Sequence, residues 1–311
     1  MKRLISIVVP MFNESENIDC FYVKVSEVID KLTDYDFEVI CINDGSRDNT
    51  LEKIEELARK DKRVKAIDLS RNFGKEIAMT AGIREATGDA VIPIDADLQD
   101  PPELMVELIA KWNEGYDVVY ATRIKREGES SLKKLSAYFF YRTIRLLTKV
   151  NIPPDTGDFR IMSRPVVDAL NQCNEQHRFM KGLFSWVGFK QTSIPYLRNK
   201  RHKGKTSFNY WKLWNFALEG ITSFSFIPLQ AATYVGFLTA LFSIFYITYV
   251  ILKTWFFGEI VKGYPTIIVA IFFFGGMQLM TLGIIGEYVG RIYDESKQRP
   301  LYFIKRKINF D

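Results

Sequence analysis

Histidine and cysteine are nearly absent, with two and three residues in a chain of 311. Cys20, Cys41 and Cys173 are scattered and odd in number, which argues against a disulfide framework and predicts free thiols in a reducing compartment. His177 and His202 are far apart, and no Cys/His metal-ligand spacing occurs. Charge is missing from two long stretches, Gly220–Leu252 and Tyr264–Gly286. Each exceeds the roughly 20 residues that cross ~30 Å of hydrocarbon; the alternative is a pair of buried helices in a soluble domain. Trp255, Tyr264 and Tyr288 stand at their ends, as membrane interfaces favour. The connection between them carries Lys253, Glu259 and Lys262, whereas the segment after them carries Arg291, Lys297, Arg299, Lys305, Arg306 and Lys307. The excess of basic residues predicts that this tail and the large N-terminal region share the cytoplasmic side. Met1-Lys2-Arg3 opens only a short apolar segment that Pro10 ends, so no signal peptide is expected. The remaining composition, 47% apolar and 14% aromatic, allows a sizeable core, and a net charge of +5 says little as a total.

What is present is organised around Ile94-Asp95-Ala96-Asp97-Leu98-Gln99-Asp100-Pro101-Pro102-Glu103. The apolar run Ala90–Ile94 reads as a buried strand that ends in two carboxylates one residue apart. Carboxylates at such a point suit a hard divalent cation, because Mg²⁺ takes oxygen ligands and shares them with substrate phosphates. The plainer reading is a solvated turn, and for Asp100 it is preferred: Asp100 is expected to cap the following helix, with proline just after it and Glu103 three positions on.

Upstream, Leu4–Pro10, Phe37–Ile42 and Val64–Leu69 read as buried strands, and Asp117–Ala121 as a further one. Helices are predicted from a Ser15 cap to about Leu32, from Thr50 to Lys60 and from Lys75 to Ala86. Such alternation predicts a mostly parallel sheet with helices on both faces, whose ligands sit beyond the carboxyl ends of the strands. The polar clusters lie at those ends: Asn13 and Glu14, Asp44, then Asp95 and Asp97.

Leu132, Leu135, Phe139, Phe140, Ile144 and Leu147 mark one helical face, with Lys134, Arg142, Arg145 and Lys149 on another. That pattern predicts a basic helix lying in a membrane surface, the alternative being a surface helix packed on the sheet. The aromatic stretch Phe208–Phe226 reads as a second interfacial helix. The expected organisation is therefore a cytoplasmic α/β domain at 1–131 and 151–206, interfacial helices at 132–150 and 207–227, a transmembrane hairpin at 228–290 and a cytoplasmic basic tail at 291–311.

Ile7-Val8-Val9-Pro10-Met11-Phe12-Asn13-Glu14, Ile42-Asn43-Asp44-Gly45-Ser46, Asp95-Ala96-Asp97-Leu98-Gln99-Asp100-Pro101-Pro102 and Thr156-Gly157-Asp158-Phe159-Arg160 together resemble the family-2 glycosyltransferases of the GT-A fold. With the two apolar stretches, the chain is similar over nearly its whole length to the polyprenyl-phosphate glycosyltransferases, which include dolichyl-phosphate mannose synthase and bacterial enzymes that make undecaprenyl-phosphate glucose. No Gln-x-x-Arg-Trp motif of the processive synthases occurs, so one sugar per turnover is expected.

The resemblance implies an α/β, Rossmann-like nucleotide-sugar-binding domain. Pro10, Asn13, Glu14, Asp44, Asp95 and Ala96 would hold the nucleotide. Asp95, Asp97 and Gln99 would hold Mg²⁺ or Mn²⁺, with Asp97 also counted as catalytic. Because a phosphate acceptor is already largely anionic at neutral pH, with a second pKa near ~6, cations rather than a base are needed. Arg123 and Arg201 are the expected catalytic phosphate ligands, aided by Arg126 and Lys205, since a guanidinium meets two phosphate oxygens at once. Arg198, Lys200, Arg201, Lys203 and Lys205 form a run without an acid, whose other reading is contact with anionic headgroups. Asp158 is expected to orient the sugar or a basic side chain, with Asp155 as its alternative.

The activity expected is transfer of one hexose, UDP-glucose being the favoured donor, to a polyprenyl phosphate with inversion. GDP-mannose is the alternative donor, and a non-catalytic membrane adaptor that binds nucleotide sugar is the alternative of another class. The expected partners are nucleotide sugar, lipid and membrane, with no nucleic acid; a homo-oligomer is compatible with the exposed apolar surface.

Overall fold

The computed structural model describes residues 2–124, 153, 156–197, 227–257 and 263–310. The chain divides into two compact units, Met1–Gly220 with Pro300–Asp311, and Ile221–Arg299.

The first unit is built on an eight-stranded sheet: β1 (Arg3–Met11), β2 (Tyr35–Asn43), β3 (Val64–Leu69), β4 (Ala90–Pro93), β5 (Val118–Arg123), β6 (Thr156–Ser163), β7 (Gln191–Tyr196) and β8 (Ile304–Ile308). Their order is β7-β5-β6-β4-β1-β2-β3-β8. The apolar runs seen in the sequence become the central parallel strands, as expected where both faces are covered. Among the described residues, β6 and β8 are the strands that run against the others. The carboxyl ends of six strands therefore share one edge of the sheet, and β6 starts at that same edge.

Helices α1 (Ile18–Ile29), α2 (Thr50–Lys60), α3 (Lys75–Glu85), α4 (Met105–Asn113), α5 (Arg164–Gln172) and α6 (Met180–Trp186) complete the unit. Ile5, Ile7 and Val9 of β1 join a core with Phe21 and Val25 of α1, Ile54 and Leu57 of α2, and Leu108 of α4. Val8 and Ile42 face the other way, against α3. α3 is buried from Ala78 to Ile83, which fixes its first turn over the carboxyl edge.

Four expectations change. Ser15 does not cap α1: Asn17 precedes the helix, and the Ser15 amide donates to Asp48 instead. Asp100 caps nothing; a 3₁₀ turn at Pro102–Leu104 follows Pro101, without a side-chain cap, and leads into α4. The strand expected to end at Ala121 continues to Arg123, held by β7 at its side. Lastly, the expected basic tail contains β8, antiparallel to β3, so its end is part of the sheet.

The second unit consists of α7 (Ile227–Phe257) and α8 (Tyr264–Ser296). Phe237, Phe242 and Phe245 of α7 and Phe272 and Leu279 of α8 are all exposed. The Thr239 hydroxyl meets Met277 Sδ at 3.5 Å, joining the two helices. Among the described residues, one stretch, Ala270–Ser296, is long and apolar enough to cross a membrane. The interfacial helix expected at 132–150 lies outside the described residues, as does that expected at 207–227 except for Ile227, which begins α7.

Candidate active site

The acidic turn follows β4 directly. The Ile94 amide still donates to the Val8 carbonyl at 2.9 Å, so the ladder reaches the residue before Asp95. Asp97 is buried, and its Oδ1 accepts the Gln99 amide at 3.1 Å. Between them Leu98 has φ 58°, a left-handed conformation costly for a branched side chain. Burial of Leu98 and of Ala96 beside it holds the turn in that shape.

Lys75, the first residue of α3, joins this turn to β6. Its Nζ lies 2.7 Å from Asp95 Oδ2 and 2.6 Å from Asp158 Oδ2. Asp158 reaches this edge because β6 runs antiparallel and begins here. Burial opposes the charge on Lys75, yet the two carboxylates outweigh it and hold the ammonium well above the ordinary lysine range. Burial opposes the Asp158 charge too, but Lys75 and Lys181 overcome it and hold the carboxyl well below its usual range. For Asp95 burial wins, helped by Asp158 and Asp97, and its pKa rises. Glu76, next on α3, is pushed up to about 7 by burial and by Asp158. Asp158 Oδ1 is buried without a hydrogen-bond partner. Arg160 stiffens this strand: its Nη2 donates to the Gly157 carbonyl at 2.9 Å, and its guanidinium lies 3.9 Å over the Phe184 ring.

Asp44 closes the other flank. Its carboxylate accepts the amides of Phe73 at 2.7 Å and Gly74 at 2.9 Å, one residue before Lys75. Burial raises its pKa against those bonds. Pro10 pairs with Ile42 at the ends of β1 and β2. Asn13, at φ 53°, accepts the Arg47 amide at 2.8 Å and so ties the two strand-end turns together. Glu14 Oε2 accepts from Asn17 at 2.6 Å. Gly45 has φ +64°, and a Cβ there would come within 2.5 Å of backbone atoms of Arg71 and Asn72. Gly45→Ala is expected to cost about 2–4 kcal/mol, measured by denaturant unfolding, because it displaces the backbone that leads to the Phe73 and Gly74 amides held by Asp44.

Arg123 ends β5 opposite Tyr196, the last residue of β7. Of the expected site residues, Asp95, Asp97, Asp158 and Arg123 fall in one electrostatic neighbourhood. Arg126, Arg201, Lys205 and Asp155 lie outside the described residues, as do Lys125, Arg198, Lys200 and Lys203. Lys75, Glu76 and Tyr196 were not anticipated. Lys75 had a signal, since it follows the turn after β3, where a parallel sheet places ligand-binding residues. Tyr196 had none, because β7 itself was not read.

Among the described residues no group of three or more His, Cys, Asp or Glu could hold a metal ion. Asp95 and Asp97 supply a smaller set of two carboxylates. That set fits a cation that keeps several sites for water and substrate phosphate. Gln99 contributes its amide to Asp97 here, which steadies the turn.

The glycosyl transferase family 2 model matches residues 6–170. An uncharacterized glycosyltransferase of Synechocystis sp. is 53% identical over 300 residues, covering 96% of this chain and 94% of the relative. The bactoprenol glucosyl transferase of Shigella phage SfV is 48% identical over 303 residues, covering 97% of this chain and 98% of the relative. A prophage bactoprenol glucosyl transferase homolog of Escherichia coli is 48% identical over 302 residues, covering 97% and 98%. With acids at the strand ends, a mixed sheet that brings Asp158 to them, and relatives aligned over nearly their full length, the chain belongs to glycosyl transferase family 2.

Proposed function

We propose that this protein transfers glucose from UDP-glucose to a polyprenyl phosphate, with inversion, at a membrane surface. The observation that carries the reading is the meeting of Asp95 and Asp158 on Lys75, with Asp97 next to Asp95 and Arg123 next to Asp158, on the carboxyl edge of the sheet. Relatives named bactoprenol glucosyl transferase support glucose as the sugar and a polyprenyl acceptor, against the mannose alternative.

Asp44, Pro10, Asn13 and Glu14 bind the nucleoside, and Asp95, Asp97 and Gln99 form the cation end of the site. A bound Mg²⁺ or Mn²⁺ would supply Lewis-acid neutralisation of the departing diphosphate. Arg123, with Arg126, Arg201 and Lys205, brings the acceptor phosphate toward the anomeric carbon. The acceptor needs no base, and Asp158 is a poor one: Lys75 and Lys181 keep it ionised far below neutral pH. Its role is to hold Lys75 and to accept a sugar hydroxyl at Oδ1.

Topology supports two membrane crossings. β8 lies in the same sheet as β1, so the chain between them crosses a bilayer an even number of times. With Ala270–Ser296 as one crossing, α7 would supply the other: its apolar stretch Ala232–Tyr246 is shorter than the roughly 20 residues required, and the 31-residue helix extends past it at both ends. The basic residues that follow α8 support a cytoplasmic position for the catalytic unit.

Purified protein with Mn²⁺, radiolabelled UDP-glucose and a short polyprenyl phosphate is expected to yield an organic-extractable lipid-phosphate-sugar. Turnover of GDP-mannose in its place would reassign the donor. If neither donor labels the lipid, the proposed activity is wrong.

A further inference from the structure

Asp100 is buried, yet it neither caps a helix nor belongs to the expected metal pair. Its Oδ1 accepts the hydroxyl hydrogen of Tyr196, which is also buried. The same hydroxyl oxygen accepts Arg123 Nε at 3.2 Å. A phenol has one hydrogen to give. With that hydrogen committed to Asp100, the tyrosine oxygen presents a lone pair to Arg123. Without Asp100 the hydrogen is free to rotate toward Nε, and two donors would then face each other.

The backbone enforces the same alignment. Arg123 and Tyr196 are direct partners in the parallel ladder of β5 and β7. On the far side Gly157 leaves room: a Cβ there would stand 3.0 Å from Arg123 Nη2 and 3.6 Å from Asp100 Oδ2. The guanidinium is thus fixed through Nε and lies over a residue with no side chain, next to Asp158. Because Nε is spent on Tyr196, the Nε/Nη2 edge is closed to a ligand. The terminal Nη1/Nη2 edge is the one that two phosphate oxygens would meet.

We propose that Asp100 and Tyr196 are positioning residues that set the direction of Arg123 toward the acceptor phosphate. The third acid of the Asp-x-Asp-x-x-Asp stretch then serves the acceptor side of the site, while the first two serve the donor side. This rests on the reading of Arg123 as a ligand of the polyprenyl phosphate.

The test uses the full-length protein, varying polyprenyl phosphate at saturating UDP-glucose and then the reverse, for Arg123→Ala, Tyr196→Phe, Asp100→Asn and the Arg123→Ala/Tyr196→Phe double variant. Arg123→Ala is expected to lower kcat/KM for the acceptor about 100-fold. Tyr196→Phe, which keeps the ring and removes one hydrogen bond, is expected to raise the acceptor KM about 10-fold while the donor KM stays within about twofold. Asp100→Asn, which replaces the charged acceptor by a weaker one and adds an Nδ2 donor that can face the Tyr196 oxygen, should follow Tyr196→Phe in the same direction with a smaller effect. In the double variant Tyr196→Phe should cost nothing beyond Arg123→Ala, because it acts through that side chain. A general packing defect would instead reduce both substrates' kcat/KM alike and add in full to Arg123→Ala; either result, from Tyr196→Phe or from Asp100→Asn if the former does not fold, overturns the positioning role. An unchanged acceptor KM in Arg123→Ala would remove the acceptor-ligand reading itself, and is read from a separate variant.

Discussion

Asp97→Ala is expected to lower sugar transfer by about 1000-fold or more, since a metal that neutralises charge on the leaving group contributes several kcal/mol at the transition state. Initial rates across a Mn²⁺ titration measure it, and Mn²⁺ binding followed by electron paramagnetic resonance should weaken in parallel. The variant should still fold. Each hydrogen bond lost with the carboxylate, such as that from the Gln99 amide, costs about 1 kcal/mol. The turn keeps its anchors in buried Ala96 and Leu98. A variant that binds Mn²⁺ and turns over like the parent would place the metal elsewhere.

Deleting residues 304–311 is expected to destabilise the first unit by roughly 3–6 kcal/mol, from several backbone bonds worth ~1 kcal/mol each. β8 covers the edge of β3, and Asn309 donates to the Ala58 and Val64 carbonyls at 2.7 and 2.8 Å. Typical domains hold only ~5–15 kcal/mol in total, so the thermal midpoint should fall by many degrees. The ion pairs of β8 matter less. Lys305 with Asp68, Arg306 with Glu55 and Lys307 with Glu85 are largely solvent-exposed on the basic side, and such pairs give about 0–1 kcal/mol each. Neutralising all three should therefore cost far less than the deletion. A free basic tail that only touches lipid would leave the midpoint unchanged when removed.

These two outcomes mark what could and could not be read in advance. β1 to β4 were legible because strands covered on both faces are continuous apolar runs. The acids at their ends were legible because parallel strands deliver their carboxyl termini to one edge. β6 was not, since Asp158 and Arg160 interrupt its apolar pattern, although Arg160 is buried and its charge is answered by backbone carbonyls and the Phe184 ring. β8 reads Ile304-Lys305-Arg306-Lys307-Ile308, which on sequence alone is a solvated basic run. Its strand character comes from partners distant in sequence, the open edge of β3 and the acids Glu55, Asp68 and Glu85. Asp100 was misassigned because a carboxylate before two prolines matches a helix cap, whereas its partner Tyr196 stands 96 positions away on a strand that local patterning did not mark. Lys75 could be placed at the ligand edge by its position after β3, but its ion pairs emerge only when β4 and β6 bring Asp95 and Asp158 to it.

The most direct measurement is crystallographic: the protein with Mn²⁺ and UDP, with diffraction collected at the manganese absorption edge. An anomalous peak between the Asp95 and Asp97 carboxylates, with the diphosphate on its far side and Lys75 still on Asp158, is the result expected. A fully bound UDP with no peak there, or a manganese held by other side chains, would contradict the metal-assisted site on which the proposed transfer depends.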